Sequence, residues 1–440
     1  MHRLKHWAAT VKRTVVGDSL VRRMPLWYKP ALRTFEYLSR ASLEERLRFC
    51  ERRLKIVLAS ARRTPYGRLV RGTLRLNDWP LLDKERLRAC PRDFLRAPAW
   101  LTIPASTSGT TGTPLKLFRS YPSVSVEQAA IDWLILRMGF APHRARLAVL
   151  RGDSIKPPSE MTPPFWRFDS NNRRLMLSSY HLNPVTIGAY YQTLSEFAPD
   201  CLMAYPSSLE TLCRLLQQSN KKITVPLVLC SSEMLTNAVR SMAQETLNAR
   251  VVDYYGQAER VNFAYSFELN KYYFLCGYSL TELELVEEGD TEAVYEIVGT
   301  SFWNLAFPII RYRTGDCISF PRRLSDEELL SVQLGVVPFR GIEGRQTDYL
   351  LSPEGGRLIG INHIPRDVAH VVRMQVIQER LDWVRILVIP DAGFSEADRQ
   401  QILANARLKI PESIEISVEV VESLERTAQA KTPFVIRKIG

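Results

Sequence analysis

The chain of 440 residues contains no apolar run that approaches the roughly 18 residues needed to cross a bilayer. Its N-terminus lacks the hydrophobic core of a secretory leader. Seven cysteines are scattered without a Cys-x-x-Cys pair, which fits reduced thiols better than a disulfide framework or a zinc site. We therefore expect a cytoplasmic globular protein, and its length predicts two or more domains.

The positive charge of the chain is concentrated near its N-terminus. Residues 1–75 hold 19 Lys and Arg against 5 Asp and Glu, a net +14, whereas the remaining residues carry −2. Apolar residues recur at helical spacing within residues 1–24, from Leu4 to Val15. Two interpretations stay open: a helix packed on its own domain, which we favour, and a basic amphipathic helix in peripheral contact with an anionic membrane. No nucleic-acid-binding motif accompanies this segment, so we expect no nucleic-acid partner.

The most informative stretch is residues 106–116. Six hydroxyl side chains and two glycines occupy positions 106–113, and a lysine follows shortly after. Consecutive backbone N–H groups, hydroxyls and a cation favour a polyphosphate ligand, whereas a flexible Ser/Gly linker is the alternative. The lack of Gly-Lys-Ser/Thr and of a following helix pattern excludes a P-loop NTPase. The candidate phosphate-binding residues are Ser106, Thr107, Ser108, Gly109, Thr110, Thr111, Gly112 and Lys116.

Strand and helix patterns alternate between residues 183 and 255. We predict a helix from Pro184 to about Phe197, capped by Asn183, a helix that a capping box at Ser207 opens and that ends near Asn220, and a helix over 237–247. The predicted strands between them cover 201–205, 225–230 and 251–255. Residues 120–180 show no regular pattern and are predicted to be irregular. The alternation implies parallel βαβ units, which bind ligands at the carboxyl ends of their strands.

Two other regions carry clear element patterns. A capping box at Ser42 predicts a helix that runs to about Arg63. Near the C-terminus, the patterns predict strands over 374–378, 384–389 and 414–421 and a helix over 395–408. This mixture indicates a compact α+β unit.

Three motifs follow apolar runs in the middle of the chain. They are Ser231-Ser232-Glu233, the run from Asp253 to Glu259, and Thr314-Gly315-Asp316. Taken alone, the first fits a turn into a helix equally well, and the second fits a buried strand that ends in a Tyr-Gly turn. We expect the third to place its carboxylate in a turn at a strand end.

The string from Thr107 to Pro114 resembles the phosphate-loop signature of the adenylate-forming enzymes, which include acyl-CoA synthetases, luciferases and peptide-synthetase adenylation domains. Five motifs follow this loop in the order of that superfamily, the last two at residues 344–348 and 426–434. Within the superfamily, the chain looks most like the phenylacetate-CoA ligase and CapK-type branch.

The resemblance implies a role for each motif. The implied nucleotide-binding residues outside the loop are Ser232, Glu233, Tyr255, Gly256, Gln257, Asp316 and Arg345. Among them, Tyr255 stacks on adenine and Asp316 grips the ribose hydroxyls. Glu259 would hold the Mg²⁺ that bridges the phosphates, and Lys431 would orient the substrate carboxylate, with Thr107 as a third catalytic residue. Arg311 and Arg313, in the Asp316 motif, fit structural ion pairs at least as well as ligand contacts.

Some positions depart from the family pattern. Ala258, Thr347 and Ala430 replace a hydroxyl residue, a hinge residue and a glycine, respectively. A non-catalytic nucleotide-binding homologue is therefore one alternative. Some relatives hold a structural metal in a Cys/His cluster, but Cys276 has no histidine near it in the sequence, so we expect none here.

The implied architecture is α/β: a large N-terminal AMP-binding domain with βαβ-type sheets, residues 1–343, and a small mobile α+β domain, residues 344–440. The implied reaction is ATP-dependent activation of a small carboxylic acid to an acyl-adenylate, followed by transfer to coenzyme A. Members of this branch also occur in capsule and exopolysaccharide pathways, so an amine, a sugar or a carrier thiol is the alternative acceptor. The sequence leaves the oligomeric state open, and a dimer is compatible with it.

Overall fold

The structure is a computed structural model. It describes residues 21–106, 115–153, 155–157, 160–169, 173–289, 292–342, 349–353, 357–358, 361, 364–365, 368–426 and 432–439. Most of the predicted basic helix of residues 1–24 lies outside these residues. None of the described helices combines the length and the apolarity needed to cross a membrane.

The described residues alternate between helices and strands for most of their length. The α-helices are α1 (Pro25–Arg40), α2 (Leu43–Ala61), α3 (Pro65–Leu69), α4 (Lys84–Ala89), α5 (Tyr121–Arg137), α6 (Ile187–Phe197), α7 (Pro206–Gln218), α8 (Asn237–Leu247), α9 (Asp326–Gln333) and α10 (Glu396–Arg407). The first ten strands are β1 (Ile103–Ser106), β2 (Lys116–Arg119), β3 (Leu147–Arg151), β4 (Trp166–Asp169), β5 (Arg174–Ser178), β6 (Cys201–Ala204), β7 (Leu227–Ser231), β8 (Arg250–Gly256), β9 (Phe263–Glu268) and β10 (Lys271–Phe274). The others are β11 (Ser279–Glu288), β12 (Ala293–Ser301), β13 (Tyr312–Phe320), β14 (Leu350–Leu351), β15 (Arg357–Leu358), β16 (Val371–Arg380), β17 (Trp383–Pro390), β18 (Glu415–Val420) and β19 (Val435–Arg437).

An eight-stranded sheet forms the centre of the large N-terminal part, in the order β10-β9-β8-β7-β6-β3-β5-β4. Strands β3, β5, β6, β7 and β8 run parallel, which confirms the predicted βαβ units. Helices α6, α7 and α8 pack on one face, and α1 and α5 cover the other. Every residue of β6 and β7 is buried, as expected for strands covered on both faces. The carboxyl ends of β6, β7 and β8 therefore lie at one edge of the sheet.

The predicted boundaries are correct where local signals dominate. Ser42 closes the predicted capping box with Glu45, and α2 ends at Ala61, two residues before the predicted end. Helix α8 spans the predicted residues 237–247, with Thr236 as its cap. A cap satisfies backbone N–H groups that the first turn leaves without partners, so its sequence signal is local.

The predicted start of α6 is wrong. Asn183 Oδ1 accepts the backbone N–H groups of Val185 and Thr186 at 2.9 and 3.1 Å, and the helix begins only at Ile187. An asparagine side chain that bonds to the backbone just ahead of it stabilises a turn in competition with a helix. The residues before Ile187 therefore form this turn.

The predicted capping box at Ser207 is also wrong. Helix α7 begins at Pro206, before the predicted cap, and proline is favoured in a first helical turn. The Ser207 hydroxyl donates to Glu233 Oε1 at 3.0 Å, while Glu210 pairs with Arg214 at 2.9 Å. The residues that resemble a capping box thus make contacts beyond the helix start.

The prediction of irregular structure over residues 120–180 is wrong as well. This stretch contains the 17-residue helix α5 and the strands β3, β4 and β5. Eleven residues of α5 are buried, among them the polar Gln128 and Asp132. A helix covered on most sides has no continuous polar face, so its sequence lacks the amphipathic period that reveals a surface helix.

The small C-terminal part contains a four-stranded sheet in the order β18-β17-β16-β19, with α10 packed on it. The three predicted strands and the predicted helix are confirmed, whereas β19 was not predicted. Leu387, Ile389 and Leu424 of this part pack into the same core as α7 and α8. Thr236 adds a hydrogen bond from its hydroxyl to Val372 O at 2.9 Å. The boundary expected near residue 343 falls outside the described residues and stays a prediction.

Candidate active site

The first two motifs meet at the carboxyl edge of the central sheet. Ser231 ends β7 and is in register with Tyr254 on the parallel strand β8. Ser232 follows with φ +72°, and its side chain is exposed. Two chain segments that are more than twenty residues apart in the sequence therefore lie side by side, as the βαβ prediction requires.

The predicted phosphate loop connects the two strands of a hairpin. Strands β1 and β2 are antiparallel, and Ser106 stands opposite Lys116. The side chains of both residues are exposed. Arg119, at the end of β2, donates from Nη2 to Ala258 O at 2.9 Å and so ties the hairpin to the run from Asp253 to Glu259. The segment after the loop is a strand, in agreement with the lack of a helix pattern there.

Several predicted site residues lie outside the described residues. They are Thr107, Ser108, Gly109, Thr110, Thr111, Gly112, Arg345 and Lys431. The assignments of these residues to phosphate binding, hinge contact and adenylation stay predictions.

Tyr255 and Asp316 are in direct contact. The Tyr255 hydroxyl donates to Asp316 Oδ2 at 2.6 Å, and the side-chain amide of Gln257 donates to the same hydroxyl. Burial, reinforced by the nearby carboxylate, raises the pKa of Tyr255 well above its ordinary value. The phenol therefore keeps its proton and acts as a donor to Asp316. The structure thus brings the second and third motifs together.

The position of Asp316 within its strand corrects the sequence prediction. Residues 314–316 lie inside β13 rather than in a turn at a strand end. The register between β12 and β13 shifts between Glu296 and Val298, opposite this stretch. Gly315 has φ +74°, a conformation that suits glycine. The bulge interrupts the strand locally, and Asp316 itself is only 6% exposed.

Glu259 is buried beside the same strand. It is 8% exposed, and its Oε1 accepts the Tyr312 hydroxyl at 2.8 Å. Sequence reasoning did not single out Tyr312 as the partner of this carboxylate, although it lies in the Asp316 motif. One buried carboxylate at this edge fits the preference of Mg²⁺ for one or two protein oxygens together with substrate phosphates. Within the described residues, no group of three or more His, Cys, Asp or Glu residues forms a metal site.

The two arginines before Asp316 make ion pairs. Arg311 contacts Glu282 at 3.0 Å and Glu284 at 2.9 Å, and Arg313 contacts Glu296 at 2.5 Å. Burial raises the pKa of Glu282 to about 7. These pairs join β11, β12 and β13, so both arginines have the structural role that the sequence had left open.

Glu233 joins the first motif to the small C-terminal part. Its Oε2 accepts the N–H of Ser207, and its Oε1 accepts the N–H of Thr432, both at 2.9 Å. The guanidinium of Arg373, on β16, lies 3.8 Å from Oε2. Thr432 follows Lys431 directly in the sequence, so Glu233 fixes the chain next to the predicted adenylation lysine.

Sequence reasoning did not identify Arg151 as a residue of this site. It ends β3, and its Nη2 donates to the Ser231 hydroxyl at 3.2 Å and to the Tyr254 hydroxyl at 3.0 Å. The side chain therefore bridges the first two motifs. Its sequence signal is weak: one arginine closing a strand whose four other residues are buried.

Comparisons with known proteins show similarity in the C-terminal part and over most of the chain. Residues 350–438 match the family model described as the CapK C-terminal domain. Protein CapK of Staphylococcus aureus is 22% identical over 376 residues, which cover 83% of this chain and 80% of that protein. At this identity, the pairing indicates a distant relative.

Solved structures resemble most of the chain. 2-Hydroxyisobutyryl-CoA ligase in the postadenylation state, in complex with R3-HIB-AMP, superposes with a TM-score of 0.60 and 17% identity, covering 88% of this chain and 89% of that one. An open conformation of that ligase, in complex with 2-HIB-AMP and CoA, gives a TM-score of 0.50 and 16% identity, covering 88% and 90%. The chain therefore has the fold of the adenylate-forming acyl-CoA ligases, and its residues 350–438 are similar to the CapK C-terminal domain, which confirms the resemblance that its motifs indicated.

Proposed function

We propose that this protein activates a small carboxylic acid with ATP, forming an acyl-adenylate and pyrophosphate, and then transfers the acyl group to the thiol of coenzyme A. The observation that carries the proposal is the convergence of Ser231, Tyr255 and Asp316 at the carboxyl edge of the parallel sheet. Ligands bind at this edge in open α/β sheets.

The proposed binding of the nucleoside rests on the contact between Tyr255 and Asp316. A buried carboxylate that already accepts one hydrogen bond from a hydroxyl can accept another from a ribose hydroxyl. Ser232 follows β7 and Gly256 ends β8 at the same edge, and the backbone of both residues would frame the base. Gln257 orients the Tyr255 hydroxyl.

The proposed reaction requires that the reactants are positioned and that negative charge on the phosphates is stabilised. The substrate carboxylate attacks the α-phosphorus of ATP, an oxygen–phosphorus bond forms, and the bond to pyrophosphate breaks. Residues 106–116 would bind the departing pyrophosphate, and Lys431 would orient the carboxylate and offset negative charge in the transition state. Glu259 would hold Mg²⁺, which supplies charge neutralisation at the phosphates.

A second candidate acceptor follows from the branch that the motifs resemble. Residues 350–438 match the CapK C-terminal domain, and members of the CapK-type branch also occur in capsule and exopolysaccharide pathways. An amine, a sugar or a carrier thiol in place of coenzyme A is therefore the alternative for the second step. The first step is the same in both versions.

The test is pyrophosphate release from ATP and Mg²⁺ across a panel of aromatic, fatty and hydroxy acids, with and without coenzyme A. Lys431→Ala should abolish acid-dependent release, while Lys222→Ala, an exposed lysine before the amino end of β7, should not change it. Acceleration by coenzyme A identifies the acceptor, and release without acceleration favours the alternative acceptors. ATP binding without any acid-dependent release would contradict the proposal and support a non-catalytic homologue.

A further inference from the structure

A cavity of about 340 Å³ lies between the central sheet and helix α5. Val149 on β3 is in register with Met176 on β5 and Met203 on β6, so these three side chains form one row on the same face of the sheet. Gln128 and Ile131 of α5 line the opposite wall. The sheet wall of the cavity therefore carries an apolar row, and polar groups surround it.

Charged side chains line the same cavity. They are Arg22, Arg151, Arg174 and Asp153. Arg151 also carries a buried Nε–H that has no hydrogen-bond partner within the described residues. A buried donor without a partner is costly, and an anionic ligand in the cavity would supply an acceptor.

Arg151 and Arg174 belong to opposite ends of this wall. Arg174 is in register with Leu147, four residues before Arg151 along the neighbouring strand. Four residues of a parallel strand correspond to about 13 Å at 3.3 Å per residue. The Arg151 end adjoins the candidate active site, because this side chain contacts Ser231. A group held at the Arg174 end therefore lies well away from that site.

We propose that this cavity binds the acid substrate, and that the acid carries a second anionic group, a carboxylate or a phosphate, which pairs with Arg174. The inference rests on the proposed adenylation. A guanidinium binds either anion through two parallel hydrogen bonds, and the methionine and valine side chains contact the carbon chain between the two ends. An acid with an apolar tail would place carbon atoms against the Arg174 guanidinium, and the loss of water from this charged group without a compensating anion is unfavourable.

The experiment compares dicarboxylic acids of four to eight carbons with their mono-amides, which match them in size and lack one charge, and includes phosphorylated hydroxy acids. Binding is measured by calorimetry without ATP, and acid-dependent pyrophosphate release is measured with ATP. The variants are Arg174→Gln, Arg174→Lys and the control Arg52→Gln, whose side chain is exposed on α2. Thermal unfolding establishes that each variant is folded.

For the best dianionic acid, we expect wild-type kcat/KM to exceed that of its mono-amide at least tenfold. Arg174→Gln should lower the value for the dianion at least tenfold and change that of the mono-amide less than twofold, and Arg174→Lys should recover part of the loss. The inference is overturned if wild type has equal kcat/KM for the dianion and its mono-amide. It is also overturned if Arg174→Gln lowers both values equally, or if no dianionic acid binds. Arg174-dependent binding without pyrophosphate release leaves the anion site standing and contradicts the adenylation instead.

Discussion

Glu233 accepts the backbone N–H of Thr432 at 2.9 Å, a hydrogen bond that spans 199 positions of the chain. Glu233 lies two residues after the end of β7, and Thr432 directly follows Lys431 in the sequence. The same carboxylate accepts two hydrogen bonds from Ser207 at the start of α7. Glu233 is thus a positioning residue whose contacts reach the large part and the segment that carries the predicted adenylation lysine.

Glu233→Gln tests this positioning role. The variant keeps an acceptor oxygen but loses the charge, and hydrogen bonds to charged groups contribute about 1.5–3 kcal/mol. We expect kcat for acid-dependent pyrophosphate release to fall about tenfold, the lower end of that range. Transfer from chemically prepared acyl-adenylate to the acceptor should be unchanged, because that step does not use Lys431. Glu245→Gln, exposed on α8, is the control; equal losses in both steps would indicate a purely structural role.

Tyr255→Phe tests the contact with Asp316. Removal of the hydroxyl leaves a buried carboxylate with one donor fewer, so binding of the nucleoside should weaken by about 1–2 kcal/mol, or roughly five- to thirtyfold in KM for ATP. The KM for the acid should stay within twofold of wild type. Steady-state kinetics with Tyr37→Phe, an exposed tyrosine, as the control provides the measurement. An unchanged KM for ATP would show that this edge does not bind the nucleoside.

Tyr312→Phe tests the proposed metal ligand. The Tyr312 hydroxyl holds Glu259 Oε1 in place, and second-sphere partners of metal ligands typically contribute about tenfold or more in metal affinity. We expect the Mg²⁺ concentration for half-maximal activity to rise about tenfold, with kcat at saturating Mg²⁺ nearly restored. A loss of kcat that excess Mg²⁺ does not restore would contradict the role of Glu259.

We predict that the free energy of unfolding depends on pH because of the buried Asp253. Burial, opposed in part by the hydrogen bond from Tyr272, raises the pKa of Asp253 to about 6. The folded state therefore holds this proton more tightly than the unfolded state, so the stabilisation is present below pH 4 and is lost as the pH rises through about 6. The Asp253 contribution amounts to about 3 kcal/mol over that interval.

Urea unfolding at pH 4.5 and pH 7 checks the Asp253 prediction. Asp253→Asn should flatten the decline in the free energy of unfolding, because the amide does not titrate. Glu412→Gln, an exposed carboxylate, should leave the decline unchanged. A decline of the same size in Asp253→Asn and wild type would place the titrating group elsewhere.

The sequence predicted the parallel part of the fold well because the signal there is local. Short apolar runs bounded by turn residues give β6, β7 and β8, and the motifs at their ends follow directly. Parallel strands bring carboxyl ends to one edge, so the neighbourhood of Ser231 and Tyr255 was predictable without coordinates.

The remaining features depend on tertiary contacts that no local pattern encodes. Helix α5 is buried on most sides and shows no amphipathic period. Ser207 resembles a cap but bonds to Glu233, 26 positions away, and Arg151 reaches partners 80 and 103 positions away. Asp316 lies within a strand because a register shift, rather than a turn, creates its position.

The most direct test of the central claim follows an oxygen atom. The acid that gives the fastest pyrophosphate release is labelled with ¹⁸O in its carboxylate, and the products of the complete reaction with ATP are analysed by mass spectrometry. Attack of the carboxylate on the α-phosphorus predicts that the released AMP carries one ¹⁸O atom. Formation of ADP and phosphate, or AMP without label, would contradict the proposed acyl-adenylate.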